Sequence, residues 1–210
     1  MSAILYYVHD PMCSWCWGYR PTWEQLRSRL PEGVTTRNLL GGLAPDSNLP
    51  MPQELQQKLQ AIWQQIHTQL GTEFNFDFWT KNQPRRSTYP ACRAVIAASM
   101  QGREEDMILA IQRAYYLRAL NPSDTATHQQ LAEELSLDVG QFMRDLESSS
   151  TERTLQQQIN LSRQWPIAGF PSLVLQMNEA VVPISLDYRD CQSSLQDITA
   201  KLAGQIMGQS

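Results

Sequence analysis

The chain has 210 residues, enough for one good hydrophobic core, held either as a single domain or as a small domain carrying an insertion. Seventeen Lys and Arg against 21 Asp and Glu give a formal net charge of -4 with no basic cluster, which argues against a nucleic acid or an anionic membrane as partner. The opening residues carry no basic n-region, and the apolar run to Val8 is too short for a signal-peptide core or a bilayer span, so a soluble cytoplasmic protein is expected.

In chain order, residues 4–8 read as a buried strand, and a helix is expected to start at the cysteine-bearing segment that follows. Residues 34–40 read as a second strand, closed by Gly41-Gly42, and the Pro/Asn/Asp segment 45–52 reads as a connector. Leu55, Leu59, Ile62, Ile66 and Leu70 recur at helical spacing before a stop at Gly71. Ser87 and Thr88 are expected to cap another helix with Pro90 in its first turn, and Met107, Ile108, Ile111 and Tyr115 mark the stripe of the next. Asp138 begins a capping-box variant, with Leu137 placed to staple against Phe142 and the helix running to about residue 146. A helix over 151–163 follows. Strand character returns at 172–175 and 180–184, the latter put at an edge by Pro183, before a last helix carrying Leu195, Ile198, Leu202 and Ile206. This order is an α/β start, a helical middle and an α/β finish. It closes as one sheet if the helical block is an excursion: residues 1–45 and 165–210 would form a discontinuous domain, and 46–164 an inserted helical one.

The chemistry-bearing motif is Cys13-Ser14-Trp15-Cys16, directly after the first strand. Two cysteines with two residues between them can close a disulfide ring across a first helical turn and so take up or release two electrons without rearranging the fold. The free N–H groups and positive end of the helix favour an anion there, which would be the Cys13 thiolate. Cys13 is thus the expected nucleophile, accessible to substrate, and Cys16, one turn inward, the expected resolving thiol. Neither intervening residue is basic, so the helix terminus must do most of the lowering of Cys13 from about 8.5. The expected shift is moderate and favours a reductase or isomerase over a strong oxidant. Asp10 would raise that thiol if it lay close, and a protonated His9 would lower it. Trp15 is expected to be exposed beside the reactive pair.

Further residues extend the pattern. Pro21 falls five residues after Cys16, and Gly169-Phe170-Pro171-Ser172 opens the third strand. On these features the chain resembles the thioredoxin superfamily, and most of all the DsbA family, whose thioredoxin fold is split by a helical domain. Segments 10–18, 90–95, 114–124 and 167–175 are similar to cytoplasmic DsbA-like proteins related to FrnE. The resemblance implies a kinking role for Pro21 and a cis bond before Pro171. With that bond, the Phe170 backbone would offer its N–H and C=O to an extended peptide, beside Ser14 and Trp15.

Plainer readings apply elsewhere. A zinc site would need two ligands beyond the pair, and Cys92 and Cys191 are lone residues that read as buried core thiols. His67 and His128 are isolated on helices. Trp17 and Tyr19 read as core, and one ring of Tyr115-Tyr116 could cover the cleft between the domains. Three functions are consistent with these residues. The favoured one is a thiol:disulfide oxidoreductase acting on protein or small-molecule disulfides, with no resident cofactor and glutathione as an eligible substrate or reductant. The second is a glutathione-dependent transferase or isomerase resembling kappa-class glutathione transferases and 2-hydroxychromene-2-carboxylate isomerases, which carry serine where this chain has Cys13. The third is a binding module in which the cysteines staple a helix end.

Overall fold

The computed structural model describes residues 3–207, without the side chains of 205–207, so Ile206 of the expected final stripe lies outside the described side chains. Four strands form one mixed sheet in the order β2-β1-β3-β4. β1 (Ala3–His9) runs parallel to β2 (Val34–Leu40), with His9 opposite Leu40, and antiparallel to β3 (Ser172–Met177). β4 (Ala180–Ile184) pairs antiparallel with β3 and lies at the sheet edge, where the missing N–H of Pro183 costs no ladder bond. β1 is covered on both faces, which is why its sequence reads as an unbroken apolar run rather than an alternation.

Side chains of β1 alternate between two clusters, as strand pleating requires. Ala3, Leu5 and Tyr7 meet Tyr19, Trp23 and Leu26 of α1 (Ser14–Arg27) and Ile198 of α9 (Gln192–Met207). Tyr6 and Val8 face the other way, against Leu39, Val174, Trp165, Ile167 and Phe170. Between β2 and β3 the chain forms seven helices: α2 (Gln53–Leu70), α3 (Phe78–Lys81), α4 (Tyr89–Ser99), α5 (Glu104–Tyr116), α6 (Thr125–Glu134), α7 (Val139–Leu146) and α8 (Ser149–Gln164). They share a core in which Trp63 is ringed by Phe74, Phe78, Trp79, Tyr115 and Tyr116. α8, counted with the helical block from its sequence, also packs on the sheet, where Gln158 accepts the Leu40 N–H at 2.8 Å.

Local signals explain the boundaries. Gly71 ends α2 in the left-handed conformation at φ 71°, with its N–H on the His67 carbonyl. Asp138 caps α7 by accepting the Gln141 N–H, and Ser148 caps α8 by accepting that of Thr151. Thr88 precedes α4 as expected but does not cap it with its side chain, since its hydroxyl is engaged by Asp10. Among the described residues no helix is long and apolar enough to cross a membrane.

Candidate active site

β1 delivers the chain into a turn over residues 10–13, closed by the Cys13 N–H donating to the Asp10 carbonyl at 3.0 Å. Cys13 is the extended N-cap residue of α1 (φ -82°, ψ 116°), and the first helical bond runs from the Trp17 N–H to its carbonyl. The N–H groups of the following turn therefore have no partner within the helix, and the Cys13 sulfur stands at that positive end. Both cysteines are free thiols. Cys13 is not open to solvent as expected, being only 6% exposed, and its thiol faces the Phe170 carbonyl at 3.5 Å. That carbonyl belongs to the Phe170–Pro171 peptide bond, which is cis, and Pro171 itself is buried. The structure thus brings together Cys13, Cys16, Phe170 and Pro171 from opposite ends of the chain.

Cys16 is fully buried. Burial, and then the adjoining Cys13 sulfur, push its thiol well above the ordinary value, while the Asp10 backbone pulls it back. The Tyr7 hydroxyl donates to the Cys16 carbonyl at 3.4 Å, and burial pushes that phenol well up, as do the nearby cysteines. His9 does not supply the positive charge considered from sequence. It is sealed against the ring of Tyr7 (4.8 Å, 8°) with neither ring nitrogen hydrogen-bonded, and burial lowers it to about 3, so it is neutral. Asp10 does lie close. Its carboxyl is buried and raised by desolvation, against donors from Thr88, Leu43 and Met12 that lower it.

Around the pair, Ser14 and Trp15 occupy the first turn half-buried. Trp15 was expected in the open, but Tyr188, 173 positions later, covers one side of it edge-on at 5.0 Å. Trp17 points toward the helices, stacking near-parallel on Tyr116 (5.8 Å, 12°) and donating its Nε1–H to the Glu73 carbonyl at 3.0 Å. Tyr188 is a neighbour of the motif that the sequence did not mark, whereas Tyr116 belongs to the pair considered as a cover for the cleft, and burial followed by other groups, the cysteines among them, raises both phenols. Pro21 lies inside α1 and is exposed. Phe170 lays its ring on Gly41, where a side chain would collide with it. Gly41 is therefore required by close approach, beyond its role as a strand end.

Cys92 and Cys191 are both fully buried. Cys191 sits in the sheet–α9 core with the Arg29 guanidinium 3.8 Å away, whereas Cys92 also turns its sulfur to Asp10 at 3.7 Å. His128 is buried on α6 and its Nε2 meets the Pro122 carbonyl at 2.8 Å, and His67 meets that of Thr72. Among the described residues no three His, Cys, Asp or Glu side chains are grouped to hold a metal ion.

A family model described as thioredoxin matches residues 6–194. The chain belongs to the thioredoxin family. Its fold is the DsbA-like form of it. The crystal structure of a candidate protein disulfide isomerase from Nitrosomonas europaea superposes with a TM-score of 0.85 at 28% identity, over 97% of this chain and 99% of that one. The cytosolic disulfide reductase DsbM from Pseudomonas aeruginosa, also determined with glutathione, shares the fold at a TM-score of 0.74 and 23% identity, over 97% and 98%. By sequence, this thioredoxin-family chain is 27% identical to the ClpXP adapter protein SpxH of Bacillus subtilis over 172 residues, 80% of this chain and 56% of that relative. It spans little more than half the length of the curated relatives it matches.

Proposed function

We propose that this thioredoxin-family protein is a cytoplasmic thiol:disulfide oxidoreductase of the reductase or isomerase type. The observation that carries the reading is a free Cys13 at the positive end of α1, facing the Phe170 backbone, with Cys16 one turn inward. The likeness to a candidate disulfide isomerase supports it, as does the fold shared with a cytosolic disulfide reductase.

In the proposed cycle the Cys13 thiolate attacks one sulfur of a substrate disulfide. A Cys13–substrate disulfide forms, and the other substrate sulfur leaves as a thiolate and takes up a proton. Cys16 then loses its proton and attacks the Cys13 sulfur. The Cys13–Cys16 disulfide forms and the second substrate thiol departs. Two molecules of glutathione return the pair to the dithiol and become glutathione disulfide. The raised Cys16 thiol suits this order, because it stays protonated while Cys13 meets substrate and does not compete as nucleophile. In this reading Ser14, Trp15 and the Phe170–Pro171 segment would line the approach and hold an extended substrate against the Phe170 backbone. Substrates are protein or small-molecule disulfides.

The test is turnover of insulin and of glutathione disulfide by the wild type, Cys13→Ser and Cys16→Ser. The wild type is expected to turn over both, Cys13→Ser neither, and Cys16→Ser to accumulate mixed disulfide. Full activity of Cys13→Ser would refute the reading, and chromene isomerisation by either form would move the function to the glutathione-dependent isomerase alternative.

A further inference from the structure

The exchange cycle makes no use of the Asp10 side chain, which is wholly buried three residues before Cys13. Its Oδ1 accepts the Met12 N–H at 2.7 Å. Its Oδ2 accepts the Leu43 N–H at 2.7 Å and the Thr88 hydroxyl at 2.6 Å, with the Cys92 sulfur 3.7 Å away. Its main-chain carbonyl takes the Cys13 N–H. One residue therefore shapes the 10–13 turn from both its side chain and its backbone, and ties that turn to the loop after β2 and to the start of α4. The Met12 and Leu43 N–H groups can only donate, so one enforced donor meets each carboxyl oxygen. Such a cage fits an acceptor-only carboxylate, the ionised form.

We propose that Asp10 is a positioning residue for the Cys13/Cys16 couple, whose buried carboxylate fixes the turn that presents Cys13 and, by its negative charge, biases the pair toward giving up electrons. The inference rests on the oxidoreductase reading above. Its charge balance is simple. Cys13 thiolate, Cys16 thiol and one glutathione disulfide yield the protein disulfide, one glutathione thiol and one glutathione thiolate, so one negative charge leaves the neighbourhood of Asp10 on oxidation. A fixed anion beside the pair favours that direction. Behind burial and the Cys13 sulfur, Asp10 acts on the Cys16 thiol in two opposite ways, its backbone lowering it and its carboxylate, the weaker influence, raising it, and behind burial the same carboxylate raises the Cys92 thiol. The other groups facing it are Thr88, Tyr115, Tyr116 and Arg86, of which Arg86 opposes it through space.

Equilibrating wild type and Asp10→Asn with glutathione buffers tests the charge. The variant is expected to favour the dithiol at least tenfold more, which is about 30 mV toward oxidant. Asn turns an amide toward the Leu43 N–H, so a measurement without substitution stands beside it: titration of the Asp10 carboxyl by carbon NMR in the reduced and the oxidised wild type. By reciprocity the carboxyl must bind its proton more weakly in the oxidised form, by the same factor. An Asp10→Asn couple within twofold of wild type, or one carboxyl titration common to both redox states, overturns the proposal while leaving the oxidoreductase reading intact. A wild type that forms no disulfide in the buffers overturns both.

Discussion

Gly41→Ala is the sharpest probe of how the sheet supports the site. A Cβ there would lie 2.0 Å from Cζ of Phe170, 2.2 Å from Cε1 and 2.8 Å from Cε2. Carbon atoms settle at roughly 3.5 Å or more, so the ring must retreat by about 1.5 Å. The half-buried ring packs on one side against the cluster of Tyr6, Val8, Leu39, Trp165 and Ile167, so retreat disturbs that packing. Overpacking of this kind costs about 1–3 kcal/mol. For a chain of this length each kcal/mol lowers the melting temperature by about 2–4 °C, so a drop of about 2–12 °C is expected. Because the Phe170 carbonyl faces the Cys13 thiol, the displacement also reaches the substrate side, and KM for a peptide disulfide should rise more than kcat falls. Thermal unfolding and steady-state kinetics on Gly41→Ala, Phe170→Ala and the double variant complete a cycle. With the ring gone the added methyl loses its three closest contacts, so a coupling of about 1 kcal/mol or more is expected. An unchanged melting temperature in Gly41→Ala, or strictly additive effects, would refute this account.

Three other outcomes are expected. His9 and His128 are held neutral by burial, at about 3 and about 4, against about 6.5 in the unfolded chain. The unfolded state therefore takes up protons first: stability is complete above about pH 6.5 and declines below it, and a urea midpoint that stays flat from pH 7.5 to 5 would contradict their burial. The Tyr116 hydroxyl is buried without a partner, so Tyr116→Phe should leave the unfolding free energy unchanged or raise it, whereas a loss beyond about 1 kcal/mol would mean the hydroxyl is bonded after all. Asp138→Ala removes the cap on the Gln141 N–H and should cost about 1 kcal/mol in denaturant unfolding, with no effect on thiol exchange.

How far the sequence reached depends on where each signal was stored. β2 and β4 matched their expected bounds, and Gly71 and Asp138 acted as read, because these signals lie within a few residues of the feature they set. α6 received no bounds from the sequence, although His128 was read as lying on a helix, because the side chains it buries include Thr127 and His128 and its inner face shows little apolar periodicity. α3 is a single turn, too short for a period to register, and α8 begins earlier than expected because the Ser148 cap was not recognised. At the site, the cysteine pair and its helix terminus were local and legible. The cover over Trp15 by Tyr188, the turn of Thr88 away from α4 toward Asp10, and the near-burial of Cys13 all arise from contacts between distant segments, which no short spacing encodes.

The helices beside the cysteine pair are fastened to it at three separate points: Trp17 to the Glu73 carbonyl, Arg189 to that of Gln69, and Asp10 to Thr88. In the proposed exchange cycle an incoming disulfide must reach a sulfur that is only 6% exposed beside segments tied to the helical block. Slender or unfolded partners, able to extend their sulfur–sulfur bond into such a recess, are then expected to react ahead of compact ones whose bond is buried.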